Sequence, residues 1–328
     1  MKLLITGATG FVGRNLLLHA LQDSAWSEII LPVRSKTKLL EQLKKEGIDH
    51  EQKRLHLCSV SNNDWSLSSS PSPDIVIHCA GLTFSRERKT YFTTHVDGTL
   101  NLLAALPSTA RILLLSSQSA AGPTPSAVSA RNRNHIEKPL SWYGESKLAM
   151  EKKLSALVSD RLLILRPPMI LGARDTATVP LFQMAQSPIR IKPGLLTKKY
   201  SWIAVDDLCR ALLIAAKSDW GSLPYHHYFL ASDQIITDLE LLKTTADVVG
   251  ARGITFRLPH SVIKLISALA DKIPALHQPL QSLGPDRVKE ILPQRWVVDG
   301  SDFQRAFNWQ PTVTLRQSLA AAHAWLDQ

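Results

Sequence analysis

A tyrosine and a lysine are four residues apart in the sequence Tyr143-Gly144-Glu145-Ser146-Lys147, which has a helical pattern. Side chains at this spacing share one face of a helix. A free tyrosine has a pKa near ~10, so proton exchange near neutral pH requires a fall of roughly three units, about 4 kcal/mol. A nearby ammonium group favours that fall. The pair is therefore a candidate general acid/base, although the same spacing is common on surface helices.

Hydroxyl groups follow the apolar segment Ile112–Leu115, which predicts a strand. The carboxyl ends of parallel strands border the crevice in which such sheets bind ligands. Ser117 is therefore a candidate to hydrogen-bond a substrate carbonyl. Ser116 and Ser119 are close by in the sequence, and serines also commonly end strands, so the sequence leaves the choice open.

Three glycines, Gly7, Gly10 and Gly13, stand between an apolar strand pattern and a helical pattern. The first glycine allows a sharp turn, the second allows the backbone to approach a pyrophosphate, and the third allows close packing of helix on strand. Free N–H groups at the start of the helix would then face the phosphates. This context predicts a dinucleotide site, with a tight turn that binds no ligand as the alternative.

The end of the second predicted strand should select the cofactor. A carboxylate is typical there when the ribose carries a free 2′-hydroxyl, but residues 31–38 contain no Asp or Glu. Arg34 offers a planar fork for a 2′-phosphate, and Ser35, Lys36 and Lys38 add donors or charge. We therefore expect NADP(H), with NAD(H) as the alternative cofactor. An ordinary solvated start of a basic helix would give the same pattern.

The elements that must position these residues alternate between short apolar segments and amphipathic helices. This alternation predicts an α/β fold, a Rossmann-type doubly wound parallel sheet covered on both faces. The predicted strands are Lys2–Thr6, Glu28–Val33, Arg54–Cys58, Asp74–Cys79, Arg111–Ser116, Arg161–Arg166 and one near Tyr225–Leu230. The predicted helices, besides the one with Tyr143, are Val12–Leu21, Leu100–Leu106, Val205–Ala216, Asp238–Val249, Ser261–Ala270 and Thr314–Leu326.

The pattern changes after residue 166, where prolines become frequent. We predict a dinucleotide-binding domain at residues 1–166, to which residues 201–231 return. Residues 167–328, mainly 167–200 and 232–328, are predicted to form a smaller, mostly helical substrate lobe.

Composition narrows the classes of function. The chain has 328 residues, of which 45% are hydrophobic, so it can bury a large core. Its three cysteines are too few and too scattered for a disulfide framework or a metal site, and we expect reduced thiols in a cytoplasmic protein. No apolar run approaches the ~18 residues of a membrane span. The net charge of +10 permits an anionic ligand. We expect a small-molecule substrate, no nucleic acid and no integral membrane segment.

Together, the first-strand sequence TGATGFVG, the strand ending in Ser-Ser and the Tyr-x-x-x-Lys pair resemble the short-chain dehydrogenase/reductase superfamily. Further segments narrow the resemblance to its extended or atypical extended branch, the epimerase/dehydratase-like proteins. These segments, which follow the family's order along the chain, are Asp74–Gly81, His95–Leu103, Leu165–Pro167 with Leu171-Gly172, and Trp202–Leu208.

The resemblance implies roles for the candidate residues. Tyr143 would be the general acid/base, Lys147 its electrostatic partner and a ligand of the nicotinamide ribose, and Ser117 would orient the reacting oxygen. His95 stands where the family commonly has asparagine; it would either donate a hydrogen bond in the same way or simply be packed in its helix. The cofactor site would comprise Gly7, Thr9, Gly10, Phe11, Val12, Gly13, Arg34, Ser35, Lys38, Ala80, Tyr143 and Lys147, with no metal.

We expect an NADP(H)-dependent oxidoreductase that acts on a carbonyl or secondary alcohol of a moderately apolar substrate resembling a hydroxysteroid, flavonol or ketoacyl compound. A nucleotide-sugar epimerase or dehydratase with bound NAD is the alternative, and a non-catalytic NADP(H) sensor is a third candidate. The resemblance implies that a homodimer can form. In the sugar enzyme, a diphosphate would require cations, for which the candidates are Arg174, Arg190, Lys192, Lys198 and Lys199.

Three other features have ordinary explanations beside functional ones. The segment Arg131–His135 would be either an anion clamp or an exposed loop. Asp206 and Asp207 are typical of a helix start, where acidic residues suit the helix dipole. The amphipathic stretch Ser261–Ile273 is interpreted as a core helix of the lobe rather than a membrane-surface helix.

Overall fold

The computed structural model describes residues 1–48, 54–60, 65, 67, 70–262, 265 and 285–327. Its centre is a seven-stranded parallel sheet. The strands are β1 (Lys2–Thr6), β2 (Glu28–Val33), β3 (Leu55–Ser59), β4 (Ile75–His78), β5 (Arg111–Leu115), β6 (Leu162–Arg166) and β11 (His227–Phe229). Their order in the sheet is β11-β6-β5-β4-β1-β2-β3, which runs outward from β1 in both directions, as in a doubly wound Rossmann sheet.

The predicted fold class is confirmed. The helices of this half include counterparts of the four that the sequence predicts, at Val12–Leu21, Leu100–Leu106, the segment with Tyr143 and Val205–Ala216, and three for which no bounds are predicted. They are α1 (Phe11–Leu21), α2 (Lys36–Lys45), α3 (Arg88–Phe92), α4 (Gly98–Ala105), α5 (Gln118–Ala121), α6 (Trp142–Val158) and α8 (Val205–Lys217). Between α3 and α4, the chain widens into a π-helical turn at Thr93–Asp97, which the sequence did not indicate.

Alternating strand residues build two separate hydrophobic cores. On one face of the sheet, Leu3 and Ile5 pack in a core with α1 and α8. On the other face, Leu4 shares a core with Leu102 of α4 and Met150 of α6. Helices therefore cover both faces, which explains why the strands are apolar at every position.

The remaining elements form small sheets and helices. The strands are β7 (Met169–Leu171), β8 (Ile189–Pro193), β9 (Lys199–Tyr200), β10 (Trp202–Ala204), β12 (Ile236–Thr237), β13 (Ile254–Leu258) and β14 (Arg295–Trp296). The helices are α7 (Val179–Gln186), α9 (Asp238–Val248), α10 (Pro285–Ile291), α11 (Ser301–Phe307) and α12 (Leu315–Leu326). The sequence analysis predicted none of these strands, because prolines interrupt the pattern.

A smaller core joins these elements: Leu171, Phe182 and Trp202 pack with Leu319 of α12. Most of the predicted helix Ser261–Ala270 is outside the described residues. Within the described part of the chain, no helix is both long and apolar enough to span a membrane.

Candidate active site

Four loops meet at the carboxyl edge of the parallel sheet. They follow β1, β2, β4 and β5, four strands that are consecutive in the sheet order. Because all strands run in the same direction, these loops share one edge, and they carry most of the residues that the sequence analysis selected.

The glycine loop after β1 has the geometry that a dinucleotide requires. Gly7 has φ +74°, and a Cβ there would lie 2.9 Å from the amide nitrogen of Ala80. A Cβ on Gly13 would lie 2.2 Å from the carbonyl oxygen of Gly7, so only glycine allows this close packing. Gly10 caps α1 without a side-chain hydrogen bond, which leaves N–H groups of the first turn available to an anion. The loop fits a pyrophosphate.

The other predicted cofactor residues surround this loop. Phe11 and Val12 form the first turn of α1, and Thr9 accepts a hydrogen bond from Gln42 through its carbonyl oxygen (3.3 Å). The amide of Ala80 donates to Thr6 Oγ1 (2.9 Å), which fixes the loop after β4 against β1.

The side chains at the end of β2 point to solvent. Arg34, Ser35 and Lys38 are exposed. The Ser35 hydroxyl oxygen accepts a hydrogen bond from the Lys38 amide (3.2 Å) and caps α2, while its own proton is free to donate to a ligand. The residues present at this position fit a 2′-phosphate better than a free 2′-hydroxyl.

Tyr143 lies beside Ser117, whose hydroxyl lowers the pKa of the tyrosine. Tyr143 is in the first turn of α6, whose N-cap is Ser141, and Ser117 is the N-cap of α5. Burial raises the pKa of Tyr143 to about 12, and the hydrogen bond from Ser117 opposes this shift. The Tyr143–Lys147 spacing predicts a lowered pKa; in the protein alone, burial outweighs that effect, and the tyrosine is protonated.

Of the three neighbouring serines, the structure brings Ser117 to the tyrosine. The Oγ of Ser116 is buried and has no hydrogen-bond partner within the described part of the chain. The Ser119 amide donates to the Ser117 Oγ (3.1 Å), so the Ser117 hydroxyl keeps its own proton to donate to Tyr143 or to a ligand.

Lys147 lies one turn after Tyr143 and is buried. Its Nζ donates to the carbonyl oxygen of Leu115 at the end of β5 (3.2 Å). Burial lowers its pKa to about 8, opposed by Cys79 and Glu151. A Cβ on Gly81 would approach this Nζ to 3.4 Å, so the loop after β4 passes directly over the lysine.

His95 is fully buried in the π-helical turn and has both ring nitrogens bonded. The Ser146 hydroxyl donates to the Tyr143 carbonyl oxygen (2.8 Å), so His95 Nδ1 must donate to Ser146 Oγ (2.8 Å). Its Nε2 accepts from the Leu82 amide (3.0 Å). Burial, together with the charges of Lys147 and His78, lowers its pKa to about 2. His95 is therefore neutral and holds Ser146 and the loop after β4 in place.

A second buried histidine, which the sequence analysis did not select, ties β4 to its neighbours. His78 Nε2 donates to Thr99 Oγ1 (2.9 Å), because the Thr99 proton is given to the His95 carbonyl oxygen (2.6 Å). His78 Nδ1 accepts from Thr6 Oγ1 (2.8 Å). Burial lowers its pKa to about 3. This chain of bonds fixes the ends of β1 and β4 under the glycine loop.

Helix α10, far away in sequence, docks on the start of α6. Glu290 accepts a hydrogen bond from the Ser141 hydroxyl (2.6 Å), and Asp286 accepts one from the Trp142 amide (2.9 Å). The guanidinium carbon of Arg287 lies 5.8 Å from the centre of the Tyr143 ring. Glu290 raises and Arg287 lowers the pKa of this tyrosine. No spacing in the sequence signals this contact, because about 145 residues separate its two sides.

The basic residues proposed for a diphosphate are mostly engaged elsewhere. Arg174 forms a salt bridge with Glu46. Lys192 pairs with Asp238 (2.8 Å), and the Lys198 ammonium donates to a backbone carbonyl. Arg190 is buried, and only Lys199 of the five is exposed. Apart from Lys199, the proposed set is not available as a group to bind a diphosphate.

Two other candidate features are structural. Arg131 is buried and donates to the carbonyl oxygens of Pro123 (3.0 Å) and Ile136 (3.1 Å), so it is neither exposed nor free to clamp an anion. Asp207 is buried and accepts hydrogen bonds from the backbone amides of Thr312 and Val313, which attaches α8 to the chain before α12.

Comparison with known proteins identifies the family of this chain and the proteins that it resembles. Residues 3–231 match the model of the family described as "NAD dependent epimerase/dehydratase family". The chain is 28% identical over 337 residues to a ceramide reductase from Caulobacter vibrioides, which covers 94% of this chain and 95% of the relative. It is 25% identical over 218 residues to a GDP-6-deoxy-D-talose 4-dehydrogenase from Aggregatibacter actinomycetemcomitans. This match covers 64% of this chain and 68% of the relative.

Among solved structures, UDP-glucuronic acid 4-epimerase from Bacillus cereus, in complex with NAD and a fluorinated UDP-sugar, superposes with a TM-score of 0.77. The superposition covers 100% of this chain and 99% of the epimerase chain at 18% sequence identity. At this identity, the likeness shows a shared fold.

Proposed function

Because the chain belongs to the NAD dependent epimerase/dehydratase family, we propose that it is an NADP(H)-dependent oxidoreductase. It would act on a carbonyl or secondary alcohol of a moderately apolar substrate. The observation that carries the proposal is the placement of Ser117 beside Tyr143, near Lys147 and at the same sheet edge as the glycine loop. When bound, the nicotinamide supplies or accepts the hydride.

The site residues divide the remaining work. Tyr143 is protonated, and this form can give a proton to a carbonyl oxygen as the carbon is reduced. The Ser117 hydroxyl can turn its proton from Tyr143 to the same oxygen and stabilise the charge that develops on it. Lys147 is held by the Leu115 carbonyl at the end of β5, where it supplies positive charge and is placed to bond a ribose hydroxyl.

The preference for NADP(H) is supported by the end of β2. Arg34 and Lys38 are exposed, and no carboxylate is present at positions 31–38 to bond a free 2′-hydroxyl. A guanidinium can bond a phosphate through two parallel hydrogen bonds. The relatives of known structure with bound NAD share the fold at less than 20% identity, so they do not decide this choice.

The apolar substrate is supported by the relative named ceramide reductase, which matches nearly the whole chain. The nucleotide-sugar alternative is supported by the talose dehydrogenase and by the epimerase structures. Against it stand the partners of Arg174, Lys192 and Lys198, which occupy the cations that a diphosphate would need. A non-catalytic sensor would have no use for the Ser117–Tyr143 pair.

The test is turnover with two substrate panels. NADPH consumption is followed by absorbance with long-chain and cyclic ketones. Conversion of UDP- and GDP-sugars, which consumes no net NADPH, is followed by chromatography of the products. We expect reduction of apolar ketones, loss of this activity in Tyr143→Phe, and no turnover of the sugars. A purified protein that retains NAD and epimerises a nucleotide sugar would establish the alternative. No turnover of either panel, with NADPH bound tightly, would favour the sensor.

The assembly is a separate proposal. We propose a homodimer, as the family resemblance implies, formed through α6 and the preceding α4. Light scattering during size-exclusion chromatography tests it, and a monomer at micromolar concentration would contradict it.

A further inference from the structure

Exposed apolar side chains are concentrated in one part of the molecule. In the described residues, twelve large hydrophobic side chains are exposed, and eight of them belong to residues 189–196 and 254–265. Single exposed hydrophobic residues are ordinary, but a contiguous group marks an interaction surface. The eight are Ile189, Ile191, Leu195, Leu196, Ile254, Phe256, Val262 and Leu265.

The centre of this group is one face of a two-stranded parallel sheet. In the register of β8 with β13, Ile254 is beside Ile189, and Phe256 is beside Ile191. Residues two apart in a strand lie on the same face, so these four side chains form one surface, which we call the apolar face. Each of the four is between 44% and 68% exposed.

Strand β8 has the reverse of the usual pattern of a surface strand, because its charged residues are buried and its apolar residues are exposed. Arg190 and Lys192 alternate with the isoleucines and are 6% and 2% exposed. Arg190 donates to the Ala251 carbonyl oxygen (3.1 Å), and Lys192 pairs with Asp238. Burying two cations while exposing two isoleucines is unfavourable in water alone, so the arrangement indicates a surface with an apolar partner.

The charges around the apolar face indicate which partner. Residues 187–200 and 248–262 contain lysines and arginines but no Asp or Glu. Among them, Arg252, two residues before Ile254, is exposed; Lys199 on β9 and Arg257, which alternates to the opposite face of β13, are exposed as well. Apolar side chains bordered by cations suit the boundary between acyl chains and anionic headgroups. A second copy of the same face would bring like charges together.

We propose that the apolar face of Ile189, Ile191, Ile254 and Phe256 docks on the surface of an anionic phospholipid bilayer. The proposal concerns peripheral binding and does not depend on the reaction that the active site performs. Arg252, two residues before Ile254, would contact the phosphates, while the four apolar side chains enter the boundary region.

The experiment is flotation with lipid vesicles. The full-length protein is mixed with vesicles of equal parts phosphatidylglycerol and phosphatidylcholine, and with phosphatidylcholine vesicles. We expect binding to the anionic vesicles that weakens at high salt. The double variant Ile191→Ser/Phe256→Ser should bind at least about tenfold more weakly, because two large apolar side chains are no longer transferred from water into the bilayer on binding. The matched control Ile136→Ser/Leu157→Ser removes two exposed apolar side chains elsewhere and should bind like the wild type.

A folded wild-type protein that does not float, or equal binding by the two double variants, would overturn the proposal. A dimer that Ile191→Ser/Phe256→Ser converts to monomer, without any effect of vesicles, would assign the face to a second copy. A Phe256→Cys variant checks the exposure itself. Its added thiol should react with a maleimide in the free protein and be protected by anionic vesicles; a thiol that reacts only after unfolding would show that the chain itself covers the face.

Discussion

Cationic side chains have opposite surroundings in the two halves of the molecule. At the end of β2, Arg34 and Lys38 are exposed next to the glycine loop. Beyond β6, Lys192 and Lys198 are buried, and each is bonded to a carboxylate or a backbone carbonyl. A charge that already has a buried partner would have to lose it before it could bind a ligand. The comparison indicates that the first region has cations that a ligand can reach from solvent, whereas the second uses its cations to hold the chain together.

The largest effect should come from the acid/base itself. In Tyr143→Phe, the ring packing against Tyr91 and His95 is retained, but the proton donor is lost. We expect kcat to fall by about two to four orders of magnitude, the usual contribution of a positioned acid. Lys147→Ala should also lower kcat by at least about a hundredfold.

Calorimetric titration with NADPH checks that the Tyr143→Phe variant still binds the cofactor. Near-normal turnover with intact binding would show that the reaction occurs elsewhere. The catalytic groups would then lie away from the carboxyl edge of the sheet.

The next effect tests the exposed cations directly. We expect NADPH to bind at least about tenfold more tightly than NADH, since a charge-assisted bond to the 2′-phosphate contributes about 1.5–3 kcal/mol. Arg34→Ala should remove most of this difference and leave NADH binding nearly unchanged. Lys199→Ala, which removes an exposed cation of β9, is the matched control and should change neither affinity. Equal affinities in the wild type would contradict the NADP(H) assignment.

The same two regions show how far the sequence alone could predict the molecule. Local patterns predicted the central sheet, because apolar periodicity and the spacing of Gly7, Gly10 and Gly13 depend on residues close together in the chain. They failed for β8, where the alternating residues around Arg190 bury the cations and expose the isoleucines. They could not find the contact of Glu290 with Ser141, because only the folded chain brings these residues together.

The docking of α10 on α6 predicts opposite changes of pH dependence. In carbonyl reduction the protonated tyrosine is active, so the rate falls as the pH rises through its pKa. Glu290 raises this pKa, so Glu290→Gln should move the alkaline limb of kcat to lower pH. Arg287 lowers it, so Arg287→Gln should move the limb to higher pH. We expect each shift to be below about one unit, which changes kcat less than about tenfold at a given pH.

Profiles of kcat against pH measure both shifts, and Glu41→Gln, an exposed carboxylate on α2, is the control. Shifts of the same sign in both variants would mean that α10 affects the tyrosine through its position rather than through charge.

The smallest effect should come from His95→Asn. The ring of His95 donates to Ser146 and accepts from the Leu82 amide, and a carboxamide offers one donor group and one acceptor for the same partners. We therefore expect an intact fold and a change in kcat of less than about tenfold. Because His95 is neutral throughout the working range, the acid limb of the pH profile should not move.

His95→Leu is the contrasting variant: it leaves both partners without a bond in a buried site, which should cost about 1–3 kcal/mol of unfolding free energy for each group. Thermal unfolding and kcat, measured for both variants, separate the two roles. A loss in His95→Asn as large as that in Tyr143→Phe would place His95 in the proton path, and the buried histidines would then belong with the catalytic groups.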